Sequence, residues 1–310
     1  MDTDPVSPQR LAQSVIAVPP LARRPDFSLD RDQNQRLVSY LEAGGISILL
    51  YGGNAVLYHV RPSEYAALMT ILTEIAAPGT LMVPSVGPAF GTMMDQAEVL
   101  ADFEFPTVMI LPQREIADSS GIARGIRLFA ERFGRPIVLY LKHDRWLEPA
   151  TVGKLFNDGL ISWVKYAVVR DDPASDDYLR EVLQEVPGEF VVSGIGEQPA
   201  IVHLRDFGIG SFTSGCVCVA PQRSTDLLEA VKAQRYAEAE DLRKQFVPLE
   251  DLRNNIQPIR VLHRAVGLAG IAEMGPMVPM LGELTSSDEA AVGQAAKQLF
   301  RWNQTSRNLS

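Results

Sequence analysis

Residues 161–168 read Ile-Ser-Trp-Val-Lys-Tyr-Ala-Val, and this stretch decides how the rest of the chain is interpreted. Trp, Val, Ile and Tyr favour extended, packed backbone, so the stretch predicts a short buried strand. Its middle holds Lys165, although a lysine is almost never fully buried unless it has a partner or a task. Side chains alternate along a strand, so Lys165 shares a face with Trp163 and Ala167. Such an apolar lining lowers the pKa of an amine and leaves more of it neutral near pH 7.

A neutral amine in a pocket is the starting point for Schiff-base chemistry on a keto group. The alternative is an edge strand or strand end, at which the ammonium group of Lys165 reaches water. The choice between the two depends on the fold that the flanking sequence predicts.

The composition predicts a large hydrophobic core and gives the chain a net negative charge. Its 310 residues are 46% hydrophobic and 22% charged, with a net charge of −9. This charge argues against a nucleic-acid or anionic-membrane partner, and no apolar run approaches the roughly 20 residues of a membrane span. The first ten residues lack an apolar signal core, so we expect a cytoplasmic location. Cys216 and Cys218 form no disulfide framework, and they are expected on one strand face as small buried residues.

Strand-like and helix-like segments alternate from residue 14 to residue 246. The predicted strands cover residues 14–18, 46–51, 81–86, 107–111, 136–141, 161–168, 190–193 and 211–219. The predicted helices cover residues 30–42, 61–77, 92–102, 119–132, 149–157, 176–185, 199–207 and 223–246. Strict alternation predicts a parallel sheet with helical crossovers. Eight such units within about 250 residues favour an α/β protein of the (β/α)8 or TIM barrel type.

An open doubly wound sheet is the second possibility, but it would place a glycine-rich fingerprint after the first strand. Pro19 and Pro20 stand there instead. We therefore predict a barrel domain over residues 1–246, with residues 1–13 mobile, and a C-terminal helical extension over residues 247–310.

The active site of such a barrel lies at the C-terminal ends of the strands, so polar residues and glycines there are candidates. Tyr140 closes the fifth predicted strand, about 5 Å from the strand of Lys165, where a phenol can relay protons. Gly52, Gly53 and Gly194 follow strands two and seven, and glycines allow a carboxylate to approach backbone N–H groups. Lys165 and Tyr140 are the predicted catalytic residues.

Asn54 and Ser214 complete the predicted substrate site. Asn54 could equally be a turn residue after two glycines, and Ser214 could simply fill the barrel interior. His59 and His143 are interpreted as polar loop residues. No metal ligands cluster at the predicted strand ends, so neither a metal nor another cofactor is predicted.

These segments resemble the dihydrodipicolinate synthase and N-acetylneuraminate lyase family of class I aldolases. The resemblance rests on residues 17–20, 136–140, 164–165 and 193–194. Within the family, the Gly-Gly turn and residues 212–215 and 247–254 are most similar to 5-dehydro-4-deoxyglucarate dehydratases. The resemblance implies a barrel with a helical extension, an imine at Lys165, a proton relay through Tyr140 and carboxylate binding by the strand-two loop. It also implies a homo-oligomer, a tetramer or a dimer.

The chain departs from the family at three places. Asn54 stands where the family has a threonine, and an amide donates to a carboxylate but relays a proton poorly. Gln113 and Arg114 replace the tyrosine that synthases carry after strand four. Arg145 lies near the position of the synthase arginine that binds a second carboxylate.

The sequence therefore predicts a Schiff-base-forming lyase, of the aldolase or dehydratase type, whose small-molecule partner is pyruvate or a 2-keto sugar acid. One alternative is a barrel that binds keto acids but has lost turnover together with the threonine relay. A metal-dependent aldolase is a weaker third possibility.

Overall fold

A closed sheet of short parallel strands forms the centre of the protein. The fold is taken from a computed structural model that describes residues 1–306. Within these residues nine strands are assigned: β1 (Ile16–Ala17), β2 (Ile48–Leu50), β3 (Leu81–Val83), β4 (Ser85–Val86), β5 (Met109–Ile110), β6 (Ile137–Leu141), β7 (Ile161–Tyr166), β8 (Val191–Ser193) and β9 (Ser211–Ser214). Their order in the sheet is β3-β2-β1-β9-β8-β7-β6-β5-β4.

The two ends of this sheet are halves of one barrel strand. Only Pro84 separates β3 from β4, and β3 pairs with β2 whereas β4 pairs with β5. The sheet therefore closes on itself with eight strand positions, which confirms the predicted TIM barrel with a helical extension.

Helices follow the strands and cover the outside of the barrel. They are α1 (Pro8–Ala12), α2 (Arg31–Ala43), α3 (Pro62–Ile75), α4 (Phe90–Leu100), α5 (Ser119–Phe133), α6 (Pro149–Asn157), α7 (Asp177–Glu185), α8 (Ala200–Phe207), α9 (Pro221–Lys232), α10 (Tyr236–Asn255), α11 (Pro258–Leu268) and α12 (Ser286–Ser306). In α2, Asp30 accepts a hydrogen bond from the backbone N–H of Gln33, and the apolar stripe that includes Leu37 and Leu41 is buried. None of the helices in residues 1–306 is long and apolar enough to cross a membrane.

Two segments differ from the sequence prediction. Residues 211–219 were expected to be extended throughout, but β9 ends at Ser214 and a 3-10 helix follows over Cys216–Cys218. The hydroxyl of Ser214 accepts a hydrogen bond from the N–H of Val217 at 3.0 Å, and this contact favours the turn. The two cysteines are buried, but they do not share a strand face.

The second difference concerns residues 223–246, which were expected to form one helix. The chain forms α9 and α10 there, with a break at Gln234, whose φ of 58° is left-handed. Neither glycine nor proline marks this break in the sequence. α10 then continues to Asn255, through the predicted domain boundary at residues 246 and 247.

The N-terminal head, which was predicted to be mobile, makes specific contacts with the barrel. The guanidinium group of Arg10 donates to the carbonyl groups of Ser47 and Gly79 at 2.7 and 2.9 Å and forms an ion pair with Asp2. Ser47 and Gly79 precede β2 and β3, so the head covers the N-terminal end of the barrel, opposite the end at which the candidate site lies.

Candidate active site

A cavity of about 250 Å³ opens at the C-terminal ends of the barrel strands. Residues at or after the ends of β1, β2, β6, β7, β8 and β9 line it, and residues from the end of α10 to the start of α11 complete its wall. This is the end of the barrel at which TIM-barrel enzymes carry their active sites. Lys165 and Tyr140 both belong to the lining.

Lys165 is a buried amine on an interior strand. β7 pairs with β6 on one side and with β8 on the other, and Lys165 is 5% exposed, so the edge-strand alternative does not hold. Burial, together with the positive charges of Lys142 and Arg253, lowers the pKa of Lys165 to about 7. Near neutral pH a large share of the amine is therefore unprotonated and able to act as a nucleophile.

Tyr140 lies directly opposite Lys165 in the β6–β7 register, and the Nζ atom of Lys165 is 4.3 Å from the centre of its ring. A third residue, Tyr58, shares the cavity and was not among the predicted site residues. Burial raises the pKa of Tyr58 to about 12, and burial together with Tyr58 raises that of Tyr140 well above its usual value. Both phenols therefore remain protonated at neutral pH.

The loop after β2 contributes Gly53 and Asn54 to the cavity lining. The side-chain amide of Asn54 donates to the carbonyl oxygen of Val18 at 2.8 Å, so one of its N–H groups ties this loop to the end of β1. Gly52 lies behind the lining, where an added methyl group would come within 2.6 Å of Cε of Met109. The structure thus brings two of the three predicted loop residues to the cavity.

Gly194 lies against the reactive lysine. A methyl group at this position would be 2.6 Å from Cβ of Ala167 and 3.1 Å from Cγ of Lys165. The backbone N–H of Gly194 donates to the carbonyl of Tyr166 at 2.6 Å. The absence of a side chain therefore allows the chain after β8 to approach Lys165 closely. On β9, Thr213 lines the cavity, whereas Ser214 does not.

Sequence reasoning missed the cations of the cavity wall. Lys142 follows Tyr140 by two residues, which on an extended chain predicts the same face. Arg253 lies near the end of α10, outside the predicted barrel domain. Its guanidinium group covers Gly215, where a methyl group would come within 2.6 Å of Nη2. Residues 247–254 were part of the family resemblance, but no residue among them was assigned a role.

A buried pair of carboxyl groups connects α10 to the turn after β8. The N–H of Glu197 donates to Oε1 of Glu250 at 2.9 Å, and Ser224 donates to Oε1 of Glu197 at 2.5 Å. Burial raises the pKa of both glutamates, and their mutual repulsion adds to the increase for Glu250. Gly196 permits this contact, since a methyl group there would lie 2.2 Å from Oε1 of Glu250. The pair fixes the helix that carries Arg253.

The remaining candidates lie outside this cavity. Arg145, near the predicted position of a carboxylate-binding arginine, forms an ion pair with Glu181 at 2.6 Å and does not line the cavity. His59 lines a different cavity. His143 does not line the candidate cavity either, and burial lowers the pKa of its imidazole. Among residues 1–306 no group of three or more His, Cys, Asp or Glu side chains is arranged to hold a metal ion.

Comparisons with known proteins extend the family resemblance. No protein-family model matches the chain. The chain is 27% identical to the 4-hydroxy-tetrahydrodipicolinate synthase of Methanopyrus kandleri over 177 residues, 55% of this chain and 56% of that relative. The match thus spans only about half the length of this curated relative.

Solved structures of dihydrodipicolinate synthases superpose on nearly the whole chain. The Bacillus clausii enzyme gives a TM-score of 0.82 at 22% identity, covering 94% of this chain and 98% of that one. The Oceanobacillus iheyensis enzyme gives 0.80 at 23% identity over 96% and 98% of the two chains. The Agrobacterium tumefaciens enzyme gives 0.83 at 16% identity over 94% and 100%. At these identities the structures show a shared fold.

Together these comparisons confirm the predicted resemblance to the dihydrodipicolinate synthase and N-acetylneuraminate lyase family. The more specific similarity to 5-dehydro-4-deoxyglucarate dehydratases stays a prediction.

Proposed function

We propose that this chain is a Schiff-base-forming lyase of the aldolase or dehydratase type that acts on pyruvate or a 2-keto sugar acid. The observation that carries the proposal is the pairing of Lys165 with Tyr140. A buried amine with a pKa of about 7 lies 4.3 Å from the centre of a phenol ring, inside the cavity at the C-terminal end of a TIM barrel. The names of the similar proteins agree with this class of enzyme.

The proposed reaction begins when the neutral amine of Lys165 adds to the keto carbon. One amine proton passes to the former carbonyl oxygen, which gives a carbinolamine. The hydroxyl group then leaves as water with a proton supplied through the phenol of Tyr140, and an iminium ion remains. Loss of a proton from the neighbouring carbon yields an enamine, from which aldol addition and dehydration proceed. In aldol cleavage a carbon–carbon bond of the iminium ion breaks instead, which releases a carbonyl fragment and leaves the enamine.

The loop after β2 is assigned to the carboxylate next to the keto group. Gly53 exposes backbone to the cavity, and Asn54 is held by its hydrogen bond to Val18. We assign Gly194 the task of leaving room for Lys165. Tyr58 is the candidate for the relay partner that threonine provides elsewhere in the family, since it lies beside Tyr140 in the cavity.

The test is reduction with sodium borohydride in the presence of pyruvate or a 2-keto-3-deoxy sugar acid, followed by peptide mass mapping. The expected result is a stable adduct on the peptide that contains Lys165, and no adduct with Lys165→Met. Lys154→Met is the matched control, because Lys154 is an exposed lysine on α6. An adduct at another lysine, or none with any keto acid, would contradict the proposal.

A further inference from the structure

An ion-pair network joins the loops that follow β6 and β7, next to the cavity. Arg170, in the loop after β7, pairs through Nη2 with Asp144, in the loop after β6, and with Oδ1 of Asp176 at 3.1 Å. One guanidinium group therefore bridges two carboxylates from different segments of the chain. A network of this kind restrains its members more than a single exposed ion pair does.

Asp176 attaches this bridge to the strand that carries Lys165. Its side chain is 1% exposed, and it accepts hydrogen bonds from the hydroxyl of Tyr166 at 2.7 Å and from the N–H of Leu179 at 3.1 Å. Tyr166 follows Lys165 directly on β7, and Leu179 lies in the first turn of α7. Arg170 is thus anchored on a buried carboxylate that is fixed to both β7 and α7.

Asp144 connects the bridge to Lys142, two positions earlier in the chain. The N–H of Ala167 donates to the carbonyl of Leu141 at 2.8 Å, so the chains of β6 and β7 stay paired up to the residue before Lys142. Lys142 lines the cavity together with Lys165, and its charge acts on that amine. No ion pair within residues 1–306 includes Lys142, so its position depends on the path of its loop.

The contacts further along the loop after β6 hold only its later residues. Arg145 pairs with Glu181 at 2.6 Å, which attaches the loop to α7 from residue 145 onward. Among residues 1–306, Arg170 is the one ion-pair partner of residues 142–144. On its own side of the bridge, Arg170 directly follows Val169, which also lines the cavity. The bridge therefore connects the two loops at the positions where they contribute to the cavity wall.

We propose that Arg170 is a positioning residue, which holds Lys142 beside the amine of Lys165 through its bridge between the two carboxylates. The inference rests on the proposed function, because the amine that it concerns is the one that would form the imine. Arg170 does not line the cavity, so it acts through the loops and not on the substrate.

The test measures the pH at which the Lys165 amine becomes nucleophilic, without any keto acid. Trace labelling with acetic anhydride between pH 5.5 and 9.5, followed by peptide mass mapping, gives this midpoint, and the exposed Lys154 is the reference amine. The other charged or titratable residues that line the cavity with Lys165 are Tyr58, Tyr140, Lys142 and Arg253. Of these, the bridge reaches Lys142, so a change in the bridge should move the midpoint through Lys142.

Asp144→Ala is the decisive variant, because the side chain of Asp144 is 51% exposed and its loss leaves the core intact. Release of Lys142 toward water should raise the midpoint of Lys165 by about half a pH unit, since one charge several ångströms away acts on this scale. A direct electrostatic effect of Asp144 has the opposite sign. Removal of a carboxylate destabilises a nearby ammonium group and would lower the midpoint.

Three further variants isolate the route through Lys142. In the Lys142→Met background, Asp144→Ala should cause no further rise, since the charge that it would release is absent. Asp144→Glu should keep the wild-type midpoint, because it retains a carboxylate for Arg170. Asp171→Ala is the matched control and should cause no rise, because Asp171 is an exposed acid of the loop after β7 without an ion pair in the part of the chain that the structure describes.

A midpoint that stays or falls in Asp144→Ala would overturn the positioning role of Arg170. So would an equal rise in the Lys142→Met background, since the effect would then not pass through Lys142. If pyruvate is trapped at Lys165 while Asp144→Ala gives no rise, only this inference fails. If the midpoint rises as expected but no keto acid forms an adduct, the positioning role stands and the proposed function fails.

Discussion

At the scale of single residues, the surroundings of Lys165 determine when its amine is reactive. Burial favours the neutral form, and two neighbouring cations act in the same direction. Tyr140 has the opposite effect, because the face of its ring attracts a cation. Because the resulting pKa is about 7, a substantial fraction of the amine is neutral near pH 7 and can act as a nucleophile.

This balance predicts the pH dependence of imine formation. The nucleophile is the neutral amine, so the rate of trapping with pyruvate should rise as the pH increases through about 7 and level off above it. Lys142→Met removes a like charge, which raises the pKa of Lys165 and should move the midpoint to higher pH. Trapping rates between pH 5.5 and 9.5 measure both effects, with Lys154→Met as the control. A midpoint close to the 10.5 of a free lysine would refute the role of burial.

Lys165, Tyr140 and Gly194 could be selected from sequence because each follows a local pattern: a lysine within an apolar strand, an aromatic residue at a strand end, and a glycine after a strand. Arg253 could not be selected in this way. It reaches the cavity through a tertiary contact over Gly215, 38 positions earlier in the chain. Ser214 was predicted as a substrate-binding residue, but Thr213 is the residue of β9 that lines the cavity, and strand position alone does not show which side chain faces inward.

At the scale of secondary-structure elements, the prediction succeeded where the hydrophobic periodicity and the residues typical of helix ends indicate the same boundary. α6 was predicted with its observed bounds, since a proline begins it and a polar loop follows. No such residue marks the break between α9 and α10. The chain turns there at Gln234, which adopts a left-handed conformation although it is not a glycine. Residues 215–219 have strand-like composition, yet the hydroxyl of Ser214 stabilises a 3-10 turn there.

The attachment of α10 to the barrel predicts a pH-dependent stability. Glu250 has a raised pKa in the folded state, so its contribution to stability is complete below the unfolded value of 4.5 and is lost as the pH rises through the folded value. Glu250→Gln removes this charge and retains an acceptor for the N–H of Glu197. The variant should match the wild type at pH 4.5 and exceed its free energy of unfolding at pH 8 by about 1–2 kcal/mol.

Urea denaturation at the two pH values measures this difference between Glu250→Gln and the wild type. Glu229→Gln, a change at an exposed position on α9, is the control and should leave the pH dependence as it is. The opposite result would be a wild-type chain whose free energy of unfolding, relative to that of Glu250→Gln, increases from pH 4.5 to pH 8. It would show that the pair is ionised and well solvated.

At the scale of the whole molecule, the two ends of the barrel differ in structure. The C-terminal ends of the strands carry the cavity, and the N-terminal ends are covered by the first residues of the chain. Alternating segments in the sequence were sufficient to predict this architecture, because eight βα units have few ways to close. They did not predict the contacts of the head, which include the hydrogen bonds of Arg10, the hydrogen bond from the N–H of Asp2 to the carbonyl of Thr80 and the burial of Leu11.

Arg10→Ala should therefore lower stability without changing chemistry. It removes the hydrogen bonds to Ser47 and Gly79 and the ion pair with Asp2, which together contribute about 2 kcal/mol. The free energy of unfolding should fall by this amount, while the rate of pyruvate trapping at Lys165 remains that of the wild type. Arg36→Ala, at an exposed position on α2, is the control. A large loss of trapping with Arg10→Ala would mean that the head also shapes the cavity.

Residues 253–259, which complete the cavity wall, are synthesised after all the barrel strands. Every barrel strand has been synthesised by residue 214, but the cavity wall is complete only when the segment from Arg253 to Ile259 has been added. A nascent chain on the ribosome can thus assemble the strands that carry Lys165 and Tyr140 before one of the charges that lowers the pKa of the amine is in place. The electrostatic surroundings that set the pKa of Lys165 are therefore complete only after Arg253 has been added.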